Sequence, residues 1–214
     1  MAAGITYFDA EPVERELYAV DSGYRSQGGF NLDTDGLAGQ SHVPVLCPLF
    51  IDFKTRKAYV VNNLKVVEKA DAGATSIKVQ KGGFPKAGTY MVSSSVGITV
   101  SKVDTSNEEY DTLTVTATTA DIPAGAADIP AGAADIPAGA ADIPAGAVLT
   151  EATLKSTTYT ANRTANALNY ARTKIESGAT VTALFRAYEI KEAELYVPVT
   201  EADKTSLTSR FMFV

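Results

Sequence analysis

The segment Asn31–Gly36 (NLDTDG) has the residue types and spacing closest to those of a metal site. Oxygen-bearing side chains at alternate positions, followed by glycine, match the first half of a calcium-binding loop. The twelfth position of such a loop is a bidentate glutamate, but here it is His42. The segment therefore predicts a polar turn, and we expect no metal and no other cofactor.

The chain has one histidine, His42, and one cysteine, Cys47, too few for a structural zinc site. His42 follows a glycine-rich segment, so we expect a capping or surface role for it. Cys47 lies in the apolar run VPVLCPLFIDF, which predicts a buried thiol and fits assembly in a reducing cytoplasm.

Catalytic signatures are absent from the sequence. It contains no nucleophile elbow, Walker loop or dinucleotide fingerprint. The neighbouring carboxylates Glu108 and Glu109 fall in DTSNEEYD, which reads as a hairpin loop, where carboxylates are ordinarily solvated. We therefore expect a protein that is not an enzyme.

Charge and hydropathy exclude two further classes. The formal net charge is −6, whereas nucleic-acid binders usually carry a basic excess. No apolar run approaches the ~18 residues of a membrane-spanning helix. The N-terminal residues have early acids and no apolar core, so no signal peptide is expected.

The elements that position these residues are predominantly strands. From Val43 onward, β-branched and aromatic residues alternate with polar ones, as in Ile77–Val79 and Leu113–Val115, and glycine or proline marks the turns. The pattern predicts a mainly β, β-rich α+β fold: a small sandwich or barrel of short strands with one or two short helices and an extended N-terminal arm.

Composition divides the chain into three parts. Residues 1–42 are predicted to be the arm, because the Gly-, Ser- and Asp-rich stretch 21–40 can bury little by itself. Isolated aromatics there suit docking on another surface, and a flexible tail is the alternative. Residues 43–155 are predicted to form a β domain, and residues 156–214 a C-terminal β-rich segment that packs on it or continues it.

The C-terminal segment combines strands with a short helix. Residues 160–178 are read as a short helix or an ordered loop, and alternation at Val181, Ala183 and Phe185 predicts a strand. Thr200 to Asp203 has the pattern of a capped helical start. The apolar end around Phe211 predicts a final buried strand.

A seven-residue repeat, DIPAGAA, occupies residues 121–147, where three complete copies are followed by a fourth, DIPAGA, that continues into Val148. A proline in every heptad excludes a coiled coil. With three copies deleted, a strand, a Pro–Ala–Gly turn and a second strand remain, which predicts a hairpin whose turn was expanded by duplication. The alternative is a repeat that stacks on symmetry mates, with one isoleucine per copy facing the oligomer axis. These isoleucines are Ile122, Ile129, Ile136 and Ile143.

The segment LKVVEKADAGATSIKVQKGGFPKAGTYM, followed by ITVSKVDTSNEEYDTLTVTA and DIPAGAVLTEA, resembles the head fibre or head decoration proteins of tailed phages. Such proteins are common in phages and prophages of Bacteroides-type gut bacteria. The resemblance covers about residues 43–214 and rests on the order of strand and turn phrases. The repeat departs from it, because one IPAGA turn would be expected.

This resemblance implies a structural virion protein on the capsid exterior, assembled in the bacterial cytoplasm. Its partners would be the major capsid protein and two further copies of itself in a homotrimer, with no nucleic acid and no membrane. The arm would anchor to the capsid through its aromatic residues. These are Tyr7, Phe8, Tyr18, Tyr24 and Phe30.

An adhesion module that binds host-surface glycans is the alternative function. It would use exposed loops, and Glu108, Tyr110 and Asp111 are the nearest candidates. The two functions are compatible in one virion protein.

Overall fold

Short strands are the main regular elements of the described chain. The structure, a computed structural model, describes residues 17–37, 39–71, 74–116 and 142–214. The first strands in chain order are β1 (Ala19–Arg25), β2 (Phe30–Leu32), β3 (His42–Val43), β4 (Pro48–Asp52), β5 (Lys57–Val60), β6 (Asn63–Lys65), β7 (Ser76–Gln80), β8 (Gly88–Ser93) and β9 (Val96–Asp104). The remaining strands are β10 (Tyr110–Thr116), β11 (Val148–Lys155), β12 (Thr158–Ala161), β13 (Ala167–Asn169), β14 (Thr173–Lys174), β15 (Thr180–Val181), β16 (Ala183–Ile190) and β17 (Phe211–Phe213).

Strands from both ends of the described chain form one curled sheet, in the order β1-β16-β13-β4-β5-β2-β15, with β17 pairing to β16. Only Thr182 separates β15, the strand at one end of this order, from β16, which lies next to the end strand β1, so a single run of chain connects the two sides of the curled sheet. We call this body the terminal barrel. Strands β3 and β14 form a separate two-stranded sheet.

The middle of the chain forms a second curled sheet, in the order β12-β11-β8-β9-β10-β7, with β6 pairing to β11. Val66, directly after β6, bridges to Val79 of β7, and the Val67 amide donates to the Lys78 carbonyl at 3.0 Å. These contacts close the ring of strands. We call this body, which spans 63–161, the inserted barrel.

Each barrel has its own apolar core. In β2, Phe30 and Leu32 are buried on either side of exposed Asn31, the alternation expected of a strand with one buried face. They belong to the first core of the terminal barrel. A second cluster, which includes Leu184, Ile190 and Leu207, packs where the C-terminal helix covers the sheet. The inserted barrel buries a third cluster, which includes Leu64, Val79, Tyr90, Leu113 and Leu149.

The predicted fold class is confirmed: the chain is mainly β, curls into barrel-like sheets and has little helix. The capped start at Thr200 is present, because Thr200 and Asp203 form a complete capping box for α1 (Glu201–Leu207). Short 3-10 turns occupy Glu192–Glu194 and Thr208–Arg210. The final strand predicted around Phe211 is β17, but it is buried only at Phe211, and Met212 and Val214 are exposed. The loop predicted between β9 and β10 joins an antiparallel pair. Residues 160–178, read as helix or loop, contain β13 and β14 instead.

The N-terminal region differs from the predicted arm. From Ala19 onward it supplies β1 and β2, which pair with β16 and β15. Its apolar residues, such as Phe30, lie in a core that is completed by β15, about 150 positions later in the sequence. The predicted boundaries at 42/43 and 155/156 fall within β3 and at the end of β11. In the structure, the inserted barrel interrupts the terminal barrel between Asn62 and Asn162.

The hairpin predicted across the repeat is wrong. Strands β10 and β11 lie in the same sheet, but β9 and β8 separate them. The connection between them joins non-adjacent strands, which local turn chemistry does not reveal.

Candidate functional site

Two of the aromatic residues predicted to dock on a capsid are core residues of this chain. Tyr18 is 8% exposed and Phe30 is 2% exposed, so neither ring is available to a partner, and the prediction is corrected for both. Tyr24 is 61% exposed and remains a surface aromatic. Tyr7 and Phe8 lie outside the described residues.

Ile143 is also an internal residue. It is 5% exposed and belongs to the core of the inserted barrel, and its backbone pairs with Ala70 in both directions. It therefore does not face an oligomer axis. The other repeat isoleucines, Ile122, Ile129 and Ile136, lie outside the described residues.

The segment that resembles a calcium loop contains a polar turn, and Cys47 is a buried thiol, as the sequence predicts. Asp33 to Gly36 form a turn in which the Asp33 carboxylate accepts the Asp35 amide at 3.2 Å. Burial raises the pKa of the Cys47 thiol, which agrees with its place in the core. Over residues 17–37, 39–71, 74–116 and 142–214, no group of three or more His, Cys, Asp or Glu side chains is arranged to hold a metal.

The adhesion loop predicted at residues 108–111 is not an exposed cluster. Asp111 is fully buried and pairs with the Lys81 ammonium, while the Lys78 ammonium lies 4.7 Å from the centre of the Tyr110 ring. Glu108 is exposed in the β9–β10 turn. Both cationic partners thus come from the neighbouring strand: Lys78 lies in β7, and Lys81 directly follows it.

A buried polar network joins the two barrels where the chain passes between them. The Asn63 side chain donates to the Asp203 carboxylate at 2.8 Å and to the Pro198 carbonyl at 2.9 Å. Its oxygen accepts the Thr150 hydroxyl at 2.9 Å. The Asp203 carboxylate also accepts the Ala165 amide at 2.7 Å. The network therefore connects the inserted barrel to helix α1 and to both chain crossings. The chain crossings are the points where the chain enters the inserted barrel, near Asn62, and leaves it, near Asn162.

The neighbouring residue, Asn62, is held by Tyr90. The Tyr90 hydroxyl donates to the Lys86 carbonyl at 3.1 Å and accepts from the Lys86 amide at 3.2 Å. A tyrosine hydroxyl has one hydrogen, so the Asn62 contact of 3.0 Å must be donated by the asparagine NH2. The Asn62 oxygen is buried and has no hydrogen-bond partner in the part of the chain that the structure describes.

Asn62 lines a cleft of about 200 Å³ between the barrels, which we call the junction cleft. Asp33, Asp35 and Gly36 come from the turn after β2, and Tyr59 from the end of β5. Lys86, Glu151 and Arg163 line it from the inserted barrel and the second chain crossing. The Lys86 ammonium lies 3.0 Å from the Glu151 carboxylate, and the Arg163 guanidinium lies 3.9 Å from the centre of the Tyr59 ring.

Arg163 also lines a second, open groove of about 760 Å³, which we call the outer groove. Its other lining groups are neutral amides, hydroxyls and one aromatic ring. They include Phe50, Thr153, Asn162, Asn166 and Ser206. The two depressions therefore meet at one guanidinium.

No protein-family model, curated protein or solved structure matches this chain.

Among the described residues, no helix has the length and apolar character needed to cross a membrane.

Sequence reasoning did not find the junction. The capping pattern from Thr200 to Asp203 predicts the start of a helix, but it does not indicate that Asp203 also pairs with Asn63. Adjacent asparagines inside an otherwise apolar run, KAYVVNNLKVV, are a usable signal, because a buried amide requires partners. Nothing in the local sequence indicates Glu151 or Arg163, which come from distant segments.

Proposed function

We propose that this chain is a structural protein of a tailed-phage virion, carried on the outside of the capsid as a head fibre or head decoration protein. The sequence resemblance described above motivates the proposal. We propose the major capsid protein as its partner, a homotrimer as its assembly state, and no catalytic activity.

The exposed edge of the terminal barrel supports this proposal most directly. Strand β1 ends its sheet and pairs with β16 alone among the described strands. A free strand edge is a template for pairing with another chain. Val20 and Tyr24 on this strand are 55% and 61% exposed, and Tyr188 on β16 is 39% exposed. An edge with exposed apolar side chains fits attachment to a larger structure.

The first experiment locates the protein. Virions released by the phage or induced prophage that carries this gene are purified, and the chain is sought by mass spectrometry and by immunogold labelling of the heads. We expect label on the capsid exterior. Virions that contain every other structural protein but not this chain would refute the proposal.

The second experiment tests the edge strand with purified protein and purified heads. Tyr24→Glu places a charge on β1, and we expect at least a tenfold loss of head binding. Tyr196→Glu is the matched control, because Tyr196 is 56% exposed and lies at Gly82. Equal binding by both variants would rule out β1 as the attachment surface.

Light scattering on the full chain and on a chain that begins at Leu17 tests the trimer. The shorter chain starts there because β1 and β2 belong to the terminal barrel, so a later start would remove core residues. Trimers in both cases would place the assembly surface in the barrels.

A further inference from the structure

We infer that the junction cleft binds a neutral carbohydrate, and that the outer groove extends this site for further sugar units. The inference rests on the geometry of the cleft and is independent of the virion assignment.

The Asn62 oxygen is the strongest indication of a ligand. Asn62 is 6% exposed, and its oxygen has no partner among the described residues, although buried polar atoms are almost always hydrogen-bonded. Rotation of the amide would place its oxygen against the Tyr90 hydroxyl, whose single hydrogen is already donated to the Lys86 carbonyl, so the oxygen would still lack a donor. The oxygen therefore remains an unpaired, enclosed acceptor on a residue that lines the cleft, and a turn of the Asn62 side chain toward the cleft would let a ligand hydroxyl pair with it.

The charged groups around the cleft favour a neutral ligand. The lining includes three carboxylates, Asp33, Asp35 and Glu151, and two cations, Lys86 and Arg163. Lys86 is paired with Glu151, and Arg163 lies on the Tyr59 ring. Asp33 lies 3.9 Å from the Lys57 ammonium, so the charges of both signs around the cleft are nearly balanced, and no excess of positive charge is left to hold a phosphate or sulfate. A hydroxyl both donates to carboxylates and accepts from cations, so a polyhydroxylated ring suits both signs.

The outer groove distinguishes a sugar chain from a cationic peptide. A lysine or arginine side chain would find carboxylates in the junction cleft, but the outer groove offers it no carboxylate and holds the Arg163 guanidinium among neutral amides, hydroxyls and the Phe50 ring. Amides and hydroxyls suit the hydroxyl groups of a second and third sugar unit. Because Arg163 lines both depressions, one oligosaccharide can occupy them together.

The cleft is built in advance of any ligand. Gly36 has φ +77°, and a Cβ atom there would lie 2.9 Å from the Lys86 ammonium, so glycine lets the lysine lie against the turn. Leu37 is 5% exposed and anchors the same turn in the core. A preformed site avoids the cost of ordering on binding.

The test begins with the full chain on a printed array of neutral, sialylated and sulfated oligosaccharides. We expect retention of neutral oligosaccharides. The best neutral trisaccharide or tetrasaccharide is then titrated by calorimetry, and its effect on the Asn62 side-chain amide signal is followed by ¹⁵N NMR. A shift of that signal with the same saturation curve supports the site.

Variants make the result specific to the cleft. We expect Asp35→Ala and Arg163→Ala each to weaken binding at least tenfold. Glu108→Ala, at an exposed carboxylate in the β9–β10 turn that does not line the cleft, should leave binding unchanged. Circular dichroism confirms that each variant is folded.

Three results would overturn the inference: no neutral glycan retained, acidic glycans retained alone, or binding unaffected by both cleft variants. The first of these would leave a buried water as the partner of Asn62. None of them bears on capsid attachment, which the Tyr24 variant tests separately.

Discussion

Asn63 and Asp203 are 140 positions apart in sequence, yet the asparagine NH2 group donates to the aspartate carboxylate at 2.8 Å in a fully buried contact. Asn63 begins the inserted barrel, and Asp203 lies in the helix of the terminal barrel. The pair therefore holds together two bodies that the chain connects only through its crossings.

Removal of the Asp203 carboxylate is expected to destabilise the whole protein. It accepts hydrogen bonds from Asn63, Ala165 and both donors of Thr200, and each donor loses its partner in Asp203→Ala. Each buried donor left unsatisfied costs about 1–3 kcal/mol, so we expect the variant to lose at least about 3 kcal/mol. Urea unfolding followed by circular dichroism measures the loss.

Glu201→Ala is the control for this variant. Glu201 lies in the first turn of the same helix, but its side chain is 85% exposed where it pairs with Lys204. Its loss should change stability by less than about 1 kcal/mol. Comparable effects for the two variants would mean that the buried network contributes little.

The sequence predicts structural features that depend on residues close in the chain, but not contacts between residues that are distant in the chain. The period of two at Ile77 and Val79 and the capping pattern from Thr200 to Asp203 are local, and the structure contains both the strand and the cap. The partner of Asn63 lies 140 positions away, so no local pattern indicates it.

The prediction of an extended N-terminal arm failed for a related reason. Its glycine-rich composition correctly indicates that it cannot form a core alone. However, Phe30 pairs with Val181 and is buried beside it, so the core is shared with the other end of the chain. The same non-local pairing separates β10 from β11 and makes the predicted hairpin wrong.

A methyl group at Gly97 is expected to destabilise the inserted barrel. A Cβ atom there would overlap the ring of Tyr159, which is 3% exposed on β12. Gly97→Ala must displace that ring, and overpacking of this kind costs about 1–3 kcal/mol. Thermal unfolding of Gly97→Ala, compared with Ser101→Ala at an exposed site on the same strand, measures the cost. A Gly97→Ala protein as stable as the Ser101 variant would contradict the packing described here.

Tyr90 should make stability depend on alkaline pH. Burial raises the pKa of Tyr90 to about 12 from its ordinary value of 10.0, against the opposing effect of the Lys86 backbone hydrogen bond. The folded state thus favours the neutral phenol, so its contribution is complete below pH 10 and is lost as the pH rises toward 12. The loss approaches about 1.4 kcal/mol per pH unit for one proton.

The Tyr90 contribution is measured as a difference between two proteins. Tyr90→Phe is less stable at pH 8, because Asn62 loses its hydroxyl partner, but its stability should fall less steeply above pH 10. Urea unfolding of both proteins at pH 8, 10 and 11 gives the slopes. Raised lysine pKa values, such as that of Lys69, affect both proteins alike and cancel. Parallel slopes would show that Tyr90 ionises normally.

The last prediction concerns the repeat, whose flanking residues dock on one short segment. On one side, the Val115 amide donates to the Thr75 carbonyl at 2.9 Å, and on the other, Ile143 exchanges backbone hydrogen bonds with Ala70 at 2.7 and 2.9 Å. A turn in which the Ala74 amide donates to the Asp71 carbonyl keeps these anchor points close. A short connection therefore suffices between them.

Deletion of residues 121–141 removes three copies and keeps the fourth, which supplies Ile143. We expect this variant to fold with the same oligomeric state and to gain about 1–2 kcal/mol, because a shorter connection has a smaller closure entropy. Ile143→Ala in the full chain should instead lose about 2–4 kcal/mol, because it leaves a cavity in the core of the inserted barrel. Urea unfolding and light scattering of the two variants separate these effects. A deletion variant that unfolds or changes its oligomeric state would show that the removed copies contribute to folding or assembly, and that the repeat is more than an expanded connection.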